Sequence, residues 1–147
     1  MSTDHRALAY LVLAAANTLS EAIHSGVVAR GFDDVRPAHG FAFVRLAPAG
    51  ATVGQVAEHL GVTKQAASQL VEELTRKGYV TSQPHPRDAR ARLVTLTERG
   101  WACTRAADAA AEEAAARWAA VIGEHRVAAM VADLARVAAP GRLRPTW

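Results

Sequence analysis
At 147 residues the chain has room for one domain with its own core, and with half its residues hydrophobic and 21% charged it is globular and not disordered. The single cysteine, Cys103, excludes an internal disulfide framework and predicts a reducing, cytoplasmic setting. A formal charge of +3 is mild, but residues 63–105 hold eight Lys and Arg against four acidic residues, while the remainder holds nine against ten. The positive field is therefore concentrated in one stretch, which is how a nucleic-acid footprint looks.

In chain order, Leu8, Leu11, Val12, Ala15, Leu19, Ile23 and Val27 recur at helical spacing and predict a first helix over about 4–28. Its run 7–16 is wholly apolar. Asp4 in what would be the basic leader argues against a secretory signal, and ten residues fall short of a membrane span. The run is read as a buried helix, with no membrane partner. Gly31 and Asp33-Asp34 break the pattern, and Pro37 opens a short second helix over 38–46. Thr52 with Gln55 is a capping-box signature for a third helix that stops at Gly61. Thr63 caps a fourth, running to Lys77 before Gly78.

Beyond Gly78 the residues favour strands. Segments 79–83 and 92–96 predict a β-hairpin, separated by a long basic tip containing Pro84 and Pro86. Thr97 caps a long Ala-rich helix towards Val121, Gly123 interrupts, and a last helix over 124–139 presents Val127, Val131, Leu134 and Ala138 on one face before Pro140. The fold class expected is mainly α with a small β-hairpin wing.

The third and fourth helices read as a helix-turn-helix. Val56, Leu60, Val62, Ala67 and Leu70 are apolar where the pair must pack, Ala57 is small where the helices cross, and Gly61 lies in the turn. The same spacing fits a helical hairpin that is only core, and the hairpin that follows favours the first reading. The fourth helix then shows Thr63, Lys64, Gln65, Ser68 and Gln69 near its N-terminus, the end that enters the major groove in this motif. Gln pairs with adenine edges, Lys with guanine or phosphate, Ser and Thr with base or backbone. In the wing, Arg87, Arg90 and Arg92 suit phosphates and a narrow minor groove. Asp88 among them makes sense if it accepts a charge-assisted hydrogen bond from a neighbouring arginine and stiffens the loop; otherwise it is an ordinary surface ion pair.

The segment TVGQVAEHLGVTKQAASQLVEELTRKGYV followed by DARARLVTLTERG resembles the MarR family of regulators. The resemblance implies a winged helix-turn-helix flanked by N- and C-terminal dimerisation helices. On this reading residues 1–147 form a single domain, with a DNA-binding core at about 37–97 and dimerisation helices at about 4–30 and 97–140. It implies that Arg90 probes the minor groove while Asp88 braces the wing, and that a homodimer reads a pseudo-palindromic stretch of double-stranded DNA, usually to repress. Independently, the terminal helices offer more apolar surface than one small domain covers. The resemblance also implies a small aromatic or anionic effector, with His39, Arg45 and Trp101 as candidates to line its crevice.

Other chemistry has little support. The six histidines (His5, His24, His39, His59, His85, His125) form no metal-binding spacing, which leaves a convergence in space, such as His24, His39 and Cys103, as the remaining route. No metal, cofactor or enzymatic activity is expected. Cys103 beside Arg99 and Arg105 invites a redox-sensor reading, yet its helix is expected to be largely buried, making a structural thiol the default. Trp101, Trp118 and Trp147 are expected as core or interface anchors. The rival readings are a helical dimer for protein association without operator binding, and a small enzyme built on histidine and the thiol.

Overall fold
The computed structural model describes residues 4–138, so Ala139, Pro140 and Trp147 lie outside the described residues. Six helices and one hairpin follow in the expected order: α1 (His5–Ala29), α2 (Pro37–Leu46), α3 (Val53–Leu60), α4 (Lys64–Arg76), β1 (Val80–His85), β2 (Asp88–Leu96), α5 (Glu98–Ile122) and α6 (Glu124–Val137). The architecture is mainly α with a small β wing.

Local chemistry starts the helices. Asp4 accepts from the Arg6 N–H, and Thr97 Oγ1 accepts from the Gly100 N–H at 3.2 Å. At α3 the box is reciprocal: Gln55 N–H donates to Thr52 Oγ1 at 3.2 Å while Thr52 N–H donates to Gln55 Oε1 at 3.0 Å. Thr63 Oγ1 accepts from the Ala66 N–H at 3.1 Å. Between these two helices Gly61 takes φ 67°, ψ 34°, a left-handed conformation that a side chain would oppose.

The core lies under the helix-turn-helix and the wing base. Phe43, Leu46, Val56, Leu60, Ala67, Leu74, Tyr79, Val80 and Val94 are buried in it, with Phe43 and Phe32 tilted against the Tyr79 ring. Of the apolar positions expected to hold the helix pair together, Val56, Ala57, Leu60 and Ala67 are buried and Leu70 is packed against the core. Val62 is exposed instead, because the turn after Gly61 carries it out of the interface.

The hairpin differs from expectation. Its strands run further, and only Pro86 and Arg87 separate them. The register jumps between Pro84, opposite Arg92, and His85, opposite Asp88, so residues 89–91 have no partners on β1. The basic stretch is thus a bulge in β2 above a two-residue turn and not one long loop. Pro84 is tolerated because β1 is the outer strand, the other flank of β2 being bridged by Ala51 to Val94.

α1 corrects another expectation. Ala15, Leu19, Ile23 and Val27 form the stripe turned to the protein, whereas Leu8, Tyr10, Leu11, Val12 and Leu13 are exposed in the single chain. The helix packs on α5 through its second half: a Cβ on Gly26 would lie 2.4 Å from that of Ala110, and Arg30 pairs with Glu113. At 25 residues and a mean hydropathy of 1.3 over its most apolar window, α1 is also long and apolar enough to cross a membrane by length and composition alone. α6 buries none of its residues, leaving Val131, Leu134 and Val137 exposed.

Candidate nucleic-acid interface
The capped start of α4 presents Thr63, Lys64, Gln65 and Gln69 as exposed side chains, with Ser68 half-buried. Its first N–H groups and helix dipole give this end a partial positive charge, which favours phosphate. Between α4 and the wing runs an open groove of about 800 Å³, whose α4 wall carries Lys64, Ser68, Glu72, Thr75 and Arg76. Asp88, Arg90 and Arg92 of the wing line it across from α4, and Thr52, Val53 and Gly54 at the start of α3 also line it. The expected residues Lys64 and Ser68 of the helix are therefore brought together with Asp88, Arg90 and Arg92 of the wing. Gln65, Gln69, Thr63 and Arg87 lie outside that groove.

The wing side chains divide by their bonds. Arg92 is fixed across the hairpin, its Nε donating to Ser82 Oγ at 3.0 Å and a terminal nitrogen to the Ser82 carbonyl at 2.9 Å. Asp88 Oδ1 accepts from the backbone N–H of Arg90 at 3.0 Å, so it braces the bulge through the main chain, where a neighbouring arginine side chain had been expected. Arg90, exposed at the centre of the bulge, projects from that braced backbone. At the tip, the Arg87 N–H donates to His85 Nδ1 at 3.1 Å.

Sequence reasoning missed Glu72, Thr75, Arg76 and Ser82 on the groove walls. The signal was available for α4: positions 64, 68, 72, 75 and 76 follow helical spacing from Lys64. It was not available for Ser82, whose place depends on the strand register.

Of the residues expected around an effector, His39 and Arg45 are each bonded to neighbours in the chain. His39 is fully buried: its Nδ1 accepts the Arg36 N–H at 3.0 Å, which places the proton on Nε2, 3.3 Å from Glu73 Oε2. Burial holds its pKa below the ordinary histidine value, keeping the ring neutral. Arg45 donates to the Gly50 carbonyl at 3.4 Å. Trp101 is 41% exposed at the start of α5, and Trp118 is half-buried further along it. Cys103 is buried, and burial pushes its thiol up to about 11, the protonated and unreactive form at neutral pH. Among the described residues no group of three or more His, Cys, Asp or Glu is placed to hold a metal ion.

Comparison with known proteins bears on the same region. The sequence model of the MarR family matches residues 37–91. The transcriptional activatory protein BadR of Rhodopseudomonas palustris is 41% identical over 51 residues, a stretch covering 35% of this chain and 29% of BadR, so the match spans under a third of that relative. A crystal structure of a MarR-family transcriptional regulator from Rhodococcus sp. RHA1 superposes with a TM-score of 0.74 at 22% identity, covering 97% of this chain and 100% of the other. A point mutant of MepR from S. aureus, bound to an oligodeoxyribonucleotide, gives 0.63 at 20% identity over 88% of this chain and 94% of the other. Segment 37–91 thus matches the MarR-family model, and along nearly its whole length the chain shares its fold with a regulator of that family.

Proposed function
We propose that the protein is a cytoplasmic transcription regulator that binds double-stranded DNA as a homodimer. The observation that carries this reading is the placement of Lys64 and Ser68 of α4 and Arg90 of the wing along one groove, beside the exposed N-terminus of α4. A helix end with mixed polar side chains suits base edges in the major groove, and an arginine on a braced β-finger suits the adjacent minor groove. The MepR neighbour bound to an oligodeoxyribonucleotide shares this fold and supports the same use here.

Residues 37–97 act as the reading head, and the flanking helices pair two copies. The exposed apolar side chains of α1 and α6, among them Leu8, Tyr10, Leu11, Val131 and Leu134, need a cover that one chain does not supply. Two reading heads related by a two-fold axis would read a pseudo-palindrome. Repression is the simplest consequence of a dimer occupying a promoter; the activatory name borne by BadR is the observation that favours the opposite sign. Release by a small aromatic or anionic effector belongs to the same proposal. Of the three expected residues Trp101 is the most open to such a ligand, while His39 is committed to the interior.

The test uses a duplex selected from a random-sequence pool by the wild-type protein. Lys64→Ala and Gln65→Ala each weaken binding to it by about 1–3 kcal/mol. Unchanged affinity in both variants would refute the assignment of the reading face, and failure of the wild-type protein to select any duplex would favour the rival, a helical dimer for protein association.

A further inference from the structure
Seven polar side chains that the groove does not use are tied together on the far side of α4. Glu73 in its last turns accepts from Arg36 at 2.6 Å and from Lys77 at 2.9 Å, and lies 3.3 Å from the His39 Nε2. Lys77 Nζ also donates to the Asp34 carbonyl at 2.6 Å. The Asp34 carboxylate accepts from the Tyr79 hydroxyl and, at 3.2 Å, from Arg99, which lies 4.5 Å above the Tyr79 ring. The connection between α1 and α2 is thereby bonded to the end of α4, the threshold of β1 and the first turn of α5.

Isolated exposed ion pairs contribute little to stability, and carboxylates near a DNA-binding helix oppose its attraction to phosphate. A connected cluster restricts geometry more than single pairs do, and contact with base edges is sensitive to shifts of about an ångström. We infer that Glu73, gripped by Arg36, His39 and Lys77, is a positioning residue for duplex reading, fixing the C-terminal end of α4 to the α1–α2 connection. The inference rests on the DNA-binding reading above and deepens it. It places the angle of the reading helix under the control of residues 34–36, the end of the α1–α2 connection that leads into α2. Lys77 and Arg36 hold the Glu73 carboxyl down to about 2, so the clamp is charged at any physiological pH.

Electrostatics and positioning predict opposite signs. Removing a negative charge near the duplex should by itself tighten binding, whereas loosening the clamp should weaken selective binding. The experiment measures affinities of Glu73→Gln for the selected duplex and for a scrambled duplex of the same length, with the active fraction fixed by titration. Affinity for the selected duplex is expected to fall roughly tenfold, while affinity for the scrambled duplex does not fall. A merely destabilised protein lowers both together and leaves their ratio unchanged, and an unchanged or increased ratio would overturn the inference. Should Glu73→Gln not fold, as judged by circular dichroism, Arg36→Gln severs the same link from its exposed side and is expected to lower the ratio likewise. A wild-type protein with no preference between the duplexes would sink the DNA-binding reading itself, whereas a normal preference retained by the variants sinks the clamp alone.

Discussion
Gly100→Ala is expected to destabilise the fold by about 3 kcal/mol, at the upper end of over-packing effects, and to lower the melting temperature by about 10 °C. Gly100 sits in the first turn of α5, where an added Cβ would lie 2.3 Å from the Tyr79 carbonyl oxygen and 3.1–3.2 Å from Leu96. That oxygen is backbone, already accepts the Thr97 N–H at 3.0 Å, and belongs to a fully buried residue. Neither partner can swing aside, so α5 must move off the wing base. Alanine's better helix propensity is worth less than about 1 kcal/mol and does not offset the clash. Thermal denaturation followed by circular dichroism checks this. A melting temperature within two or three degrees of wild type (on the order of 1 kcal/mol) would show that α5 and β1 are not so closely apposed.

The second large effect concerns binding. Combining Lys64→Ala with Arg90→Ala removes one cation from each wall of the groove, and each loss is worth about 1–3 kcal/mol. The double variant is expected to bind the selected duplex about a hundredfold or more weakly, with its melting temperature unchanged, because both side chains are exposed. Arg90 is chosen over Arg92 because Arg92 also holds Ser82 across the hairpin, and its loss would loosen the wing as well as remove charge. Fluorescence anisotropy with labelled duplex measures the effect. Retention of wild-type affinity by the double variant would move the interface elsewhere on the molecule.

Much of this was legible in the sequence because local chemistry dictates it. Thr52 with Gln55, Thr63, Gly61 and Thr97 mark element boundaries through hydrogen bonds to their own neighbours, and the structure shows those bonds. The spacing of Val56, Leu60 and Ala67 likewise foretold which faces meet. What failed depended on long-range partners. The apolar run of α1 says that its surface must be covered, yet in one chain α5 covers only its second half, so Leu8 to Leu13 stay exposed. Prolines at 84 and 86 suggested a long loop, and only pairing with β2 reveals that Pro84 occupies an outer strand beside a bulge. The cluster joining Asp34, Arg36, His39, Glu73, Lys77, Tyr79 and Arg99 brings together residues up to 65 positions apart. No spacing rule points to it.

The salt dependence of wild-type affinity for its selected duplex bears most directly on whether the α4 end and the wing meet DNA. Each neutralised phosphate releases counterions, so with about six phosphates engaged by a dimer, log affinity should fall linearly with log salt at a slope near −5. An affinity indifferent to salt, or no measurable binding at low ionic strength, would contradict the account.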